Sequence, residues 1–222
     1  MNGSGLKVGQ LQDFLKASYE DKPPHKIGAF MIDNLLPNDY GKVYISISQK
    51  KVVIVFRGTK GVLDWNNNLI YAMNSNSYKF TNRFKIAKKM YDEAHKKYKG
   101  YTFELTGHSQ GAIPTNLLLN ENEDIDGIAL NPAYKLGFIK KNEYIVKSNL
   151  DPVSVLHKPK ELINKFLNPN WNKNHIINIP SNNYNLLEQH SIDVLNNLDQ
   201  NKFIGAKGGS LYNKNIGQFP FD

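Results

Sequence analysis

A serine can attack a carbonyl carbon when a sharp turn holds its hydroxyl out, and Gly107-His108-Ser109-Gln110-Gly111 has the composition for such a turn. The turn strains the serine's own backbone, so the residues two before and two after it must carry almost no side chain. Gly107 and Gly111 meet that need. The flanking segments agree. Tyr101 to Thr106 alternates apolar and polar residues as a strand does, and Ala112 to Leu119 is rich in helix formers. The pattern predicts strand, tight turn and helix, with Ser109 at the corner. An ordinary glycine-rich turn would look the same in isolation, so the remaining chemistry has to be sought along the chain.

A serine nucleophile needs a base, an acid to orient that base, and donors where the oxyanion forms. Lys42 to Ser48 alternates, Gln49-Lys50-Lys51 turns, and Val52 to Phe56 is a continuous apolar run. This predicts a hairpin whose second strand is buried on both faces. It leads directly into Arg57-Gly58-Thr59, where the Thr59 N–H, with its hydroxyl, could join the Gln110 N–H as an oxyanion donor. On this segment alone a turn residue or helix cap is the more ordinary role for Thr59. Asn142 to Ser148 predicts a strand, and Asp151 follows it; an acid just past the C-terminal end of a parallel strand shares an edge with a strand-end serine. Asp151-Pro152 is also an ordinary turn opening. Three histidines follow Asp151. His157 is too close behind the acid loop, and His175 begins a strand on the wrong edge. His190 comes after the polar loop Ser181 to Asn185, in or near a helix start, and is the candidate base.

The elements that must hold these groups are legible in outline. Val8, Leu11, Phe14 and Leu15 have helical spacing, and Pro23-Pro24 closes that segment. Thr81 or Asn82 can cap a helix running to Tyr98, with Gly100 stopping it. Asp126 to Leu130 and His175 to Pro180 predict further strands. The length of 222 residues suits one domain over 1–222. Cysteine is absent, which excludes disulfides, thiolate nucleophiles and cysteine-bound metals. The first residues lack the apolar core of a signal peptide and no apolar run is long enough to span a bilayer, so a cytoplasmic or otherwise non-Sec-exported protein is expected. The net charge is +8, but the lysines are dispersed without a compact basic run, and no nucleic-acid partner is expected.

Taken together, Val55-Phe56-Arg57-Gly58-Thr59 with Asp64-Trp65, then Thr106 to Gly111, then Asp151-Pro152-Val153 and His190, the chain resembles the class 3 lipases, fungal triacylglycerol lipase-like members of the α/β-hydrolases. The similarity runs from Val43 to Leu195. The resemblance implies an α/β-hydrolase fold: a mostly parallel central sheet, helices on both faces and an N-terminal antiparallel hairpin. It implies Ser109 as nucleophile, Asp151 as acid, His190 as base, and Thr59 with Gln110 as oxyanion hole. It places Trp65, within Gly61 to Leu69, in a small lid that contacts substrate or a lipid surface. The expected activity is hydrolysis of carboxylic esters, of acylglycerols or phospholipids, with no metal and no cofactor. A thioesterase or amidase would share the machinery, and a non-catalytic binding protein would share the fold. The chain departs from the family in having Gln110-Gly111-Ala112 where leucine and two glycines are usual, Asn68 where aspartate is frequent, and no His-x-Gly-Phe around Lys79 to Phe84.

Overall fold

The computed structural model describes residues 5–36, 40–59, 78–133, 142–152, 175–180 and 185–204. The lid segment with Trp65, and His157, lie outside them. The chain opens with strand β1 (Leu6–Lys7) and helix α1 (Val8–Tyr19). Two short strands, β2 (Lys26–Ile27) and β3 (Phe30–Ile32), precede the hairpin β4 (Gly41–Ser46) and β5 (Lys51–Phe56). Next come α2 (Asn82–Lys97), β6 (Thr102–His108), a 3-10 turn at Ser109–Gly111, α3 (Ala112–Glu121) and β7 (Asp126–Leu130). The described chain continues with β8 (Glu143–Ser148), β9 (Ile176–Ile179), α4 (Leu186–His190), a 3-10 stretch at Ile192–Asn197 and β10 (Phe203–Ile204).

Strands β2 to β9 form one eight-stranded sheet in chain order. Pairing is antiparallel from β2 to β5 and parallel from β5 to β9. The expected α/β-hydrolase architecture, an N-terminal antiparallel part joined to a parallel sheet, is therefore present. Each parallel step reverses direction through a crossover, so the C-terminal ends of β5, β6, β7, β8 and β9 all reach the same edge.

Alternation along β5 explains the layering. Val52, Ile54 and Phe56 pack with Phe84, Ala87 and Met90 of α2 and Leu117 and Leu118 of α3. Val53 and Val55 point the other way, into Leu11, Phe14 and Leu15 of α1 and Val194 and Leu195. Because side chains alternate with period two, one strand serves both layers, which is why its apolar run is unbroken. β4 differs from the alternation expected of it. Val43 joins the first layer and Tyr44 the second, because α1 packs on the face that alternation would leave to solvent. The residues around Phe203 also belong to the fold: β10 pairs with β1. No described helix is long and apolar enough to cross a membrane.

Candidate active site

The corner at Ser109 is as sharp as its sequence requires. Ser109 has φ 55°, a left-handed conformation that costs a non-glycine residue about 1–3 kcal/mol. The two glycines allow the backbone to close on itself. A Cβ on Gly107 would lie 2.2 Å from the Gly111 carbonyl oxygen, and a Cβ on Gly111 would lie 2.2 Å from that of Phe56. These are backbone contacts, which cannot yield as a side-chain tip would. The second contact also seats the turn against the loop leaving β5, the loop that carries Thr59.

The candidate acid and base meet. His190 ends α4, where a position near a helix start was expected, and its Nδ1–H donates to Asp151 Oδ1 at 2.5 Å. Asp151 is fully buried, with its own N–H donating to the Ser148 carbonyl at the end of β8. Ser109 and His190 are almost as deep, 4% and 6% exposed. A carboxylate in that position fixes the imidazole's tautomer: the proton sits on Nδ1, and Nε2 is the basic nitrogen. His175, the rejected alternative, lies at the N-terminal end of β9, its Nδ1 2.8 Å from the Glu143 carbonyl and its ring stacked on Tyr144 at 4.9 Å.

Sequence reasoning missed the residues that hold α4 against the serine turn. The sequence pattern assigns His108, inside the motif, no role. Its Nε2 lies 2.7 Å from the His190 carbonyl oxygen and its Nδ1 2.7 Å from the Tyr19 hydroxyl. A carbonyl only accepts, so Nε2 carries the proton and Nδ1 accepts from Tyr19. Burial first, and the neighbouring His190 second, push the His108 pKa down to about 3, and the ring is neutral over the physiological range. The two histidine rings lie 5.2 Å apart. Two further buried residues grip the adjoining Gln189: Asn131 Nδ2 donates to its carbonyl at 3.0 Å, and the Ser148 hydroxyl donates to its side-chain oxygen. Asn131 also accepts from the Ser148 N–H at 2.9 Å, joining the ends of β7 and β8. The available signal was modest: polar residues directly after apolar strands, at the edge where the serine sits.

On the other flank, the Thr59 hydroxyl donates to Gln110 Oε1 at 3.0 Å, so the two candidate oxyanion residues are in contact. Arg83, from the first turn of α2, donates to the same oxygen at 2.8 Å. The Thr59 hydroxyl is thus engaged with Gln110, which leaves the backbone N–H as the group Thr59 can offer to a substrate. Of the sequence candidates, Ser109, Gln110 and Thr59 lie together on one flank and Asp151 and His190 on the other, with His108 linking them.

Residues 38–112 match the model of the Tle-like phospholipase domain. That match spans the hairpin, the Thr59 loop and the serine turn, and stops before Asp151 and His190. No curated protein matches the chain. Among solved structures, the fold is similar to the Rhizomucor miehei lipase in its propeptide complex, at 16% identity and TM-score 0.49, covering 67% of this chain and 62% of that one. A Yarrowia lipolytica lipase is 16% identical with TM-score 0.45, covering 71% of this chain and 78% of its own. A Penicillium expansum triacylglycerol lipase is 16% identical with TM-score 0.42, covering 67% and 70%. This chain therefore spans less than two thirds of the Rhizomucor protein.

Proposed function

We propose that this protein is a serine esterase of the lipase type, hydrolysing carboxylic esters of acylglycerols or phospholipids. The observation that carries this reading is a strained serine at the end of β6 on the same sheet edge as a buried His190–Asp151 pair. In the proposed reaction His190 Nε2 takes the Ser109 proton as Oγ attacks the ester carbonyl. Asp151 accepts from Nδ1–H and stabilises the imidazolium, and the N–H groups of Thr59 and Gln110 receive the oxyanion. The imidazolium then protonates the departing alcohol, and water repeats the sequence on the acyl-enzyme. The phospholipase-type match over residues 38–112 supports a lipid ester as substrate.

The test is labelling by a fluorophosphonate, followed by hydrolysis of p-nitrophenyl butyrate, a phosphatidylcholine and a monoacylglycerol. Wild-type protein is expected to label at Ser109 and to cleave at least one of these esters. Ser109→Ala is expected to lose labelling and about a million-fold in turnover, as serine triads do. Unlabelled wild-type protein, or an Ser109→Ala variant as active as its parent, would sink the proposal.

A further inference from the structure

The loop Arg57-Gly58-Thr59 leaves β5 and is held by its backbone from both sides. The peptide unit between Arg57 and Gly58 has its N–H donating to the Tyr19 hydroxyl at 2.7 Å and its carbonyl accepting from Arg83 Nη2. The next unit, between Gly58 and Thr59, has its carbonyl accepting from Arg83 Nη2 at 3.1 Å and from Arg57 Nη1 at 3.1 Å. In a trans peptide the C=O and N–H point in opposite directions. The described chain contains no cis peptide. Fixing the Gly58 carbonyl toward the guanidinium groups therefore fixes the Thr59 N–H away from them.

We propose that Tyr19 and Arg83 are positioning residues that aim the Thr59 N–H for the oxyanion, by clamping the two peptide planes before it. This rests on the esterase reading above. An oxyanion donor is effective only if its direction is set before reaction, so that none of its orientation cost falls on the transition state. A glycine-containing loop has no such rigidity of its own. The two clamps come from elements far apart in sequence, the end of α1 and the start of α2. Arg83 is suited to the task because its planar fork reaches two successive carbonyls with one nitrogen while the other holds Gln110 Oε1. Its guanidinium also lies 4.9 Å over the Tyr40 ring, which limits its swing. Among the described residues its hydrogen-bond acceptors are the Arg57 and Gly58 carbonyls and the Gln110 side-chain oxygen, not a carboxylate. Tyr19 reaches the serine side as well: it accepts from Gly58 and donates to His108, so the directions of all its bonds are set.

The test compares Tyr19→Phe, Arg83→Met and Arg83→Lys with the parent on a soluble p-nitrophenyl ester and on its thiono analogue, whose C=S accepts hydrogen bonds poorly. Each variant is expected to lower kcat about 10- to 100-fold, somewhat less than outright loss of an oxyanion donor, with KM within about twofold. The preference for the oxo ester over the thiono ester should narrow. Thermal unfolding identifies the variants that remain folded. Arg83→Lys is expected to stay impaired, because a single ammonium cannot replace the fork. An active parent with folded variants of unchanged kcat, a loss of kcat with the oxo/thiono ratio intact, or full recovery by lysine would each overturn the clamp alone. A parent as inactive as Ser109→Ala would instead overturn the esterase reading and the clamp's purpose with it.

Discussion

Ser109 is the residue at which stability and the proposed chemistry pull against each other. Its φ of 55° persists because the Ala133 N–H donates to its carbonyl at 3.1 Å and because the glycines on either side let the turn close. A Cβ in that region of conformational space is a cost that glycine escapes. Elsewhere in a folded chain, replacing alanine by glycine lowers stability by about 0.5–1 kcal/mol through the unfolded state. At this position the order is expected to reverse: Ser109→Gly should equal or exceed Ser109→Ala in stability, with both inactive. Urea unfolding of the two variants side by side measures this directly. An alanine variant clearly more stable than the glycine variant would show that the turn is not strained at Ser109.

At the scale of elements, the contact between the serine turn and the β5 loop joins two parts of the site. Gly111→Ala would push a methyl group against the Phe56 and Arg57 carbonyls, and neither end can retreat because β5 and β6 are paired along six residues. The variant is expected to lose about 1–3 kcal/mol of stability, as overpacked interiors do, and to label more slowly with fluorophosphonate; a midpoint of urea unfolding equal to the parent's would refute the tight approach. Elements of this kind were legible where pattern and context coincided. The helical spacing of Val8, Leu11, Phe14 and Leu15 falls within α1, and Thr81 caps α2 by accepting from the Phe84 N–H at 3.2 Å. β2, β3, β1 and β10 went unread because strands of two or three residues are too short to show a period. The groups around the site were harder for a different reason. Tyr19 looks like the last residue of an amphipathic helix and Arg83 like a solvated charge, and only the fold reveals that both turn toward residues 57–59. His108 stands at a motif position where the serine turn itself demands no particular side chain. Trp65 stays a proposal from the resemblance, outside the described residues.

For the whole molecule, two buried titratable groups at opposite ends of β6 set opposing pH dependences. Glu104 pairs with Lys51 near the N-terminal ends of β6 and β5, and its Oε1 finds no hydrogen-bond partner among the described residues. Burial, opposed by Lys51 and aided by Asp126, raises its pKa to about 7. A carboxyl whose folded pKa is raised contributes stability fully present below its unfolded value of 4.5 and lost as pH rises through about 7. His108 is the mirror case. Its folded pKa is depressed to about 3, so its contribution is present above its unfolded value of 6.5 and lost as pH falls through 3. Between pH 4.5 and 6.5 the folded state holds one extra proton on Glu104 and lacks one on His108, and the two slopes cancel. Removing either group should expose the other. Relative to the parent, Glu104→Gln is expected to gain stability as pH rises from 4.5 to 7, whereas His108→Asn is expected to lose relative stability as pH rises from 3 to 6.5. Each relative slope approaches one proton's worth, and taking differences from the parent removes the titration of groups that do not interact with the altered residue. Urea unfolding of the three proteins across that range measures both slopes. Parallel curves for Glu104→Gln and the parent would mean that Glu104 titrates as it does in the unfolded chain, and parallel curves for His108→Asn would mean the same of His108 and would break the argument that its ring stays neutral between Tyr19 and His190.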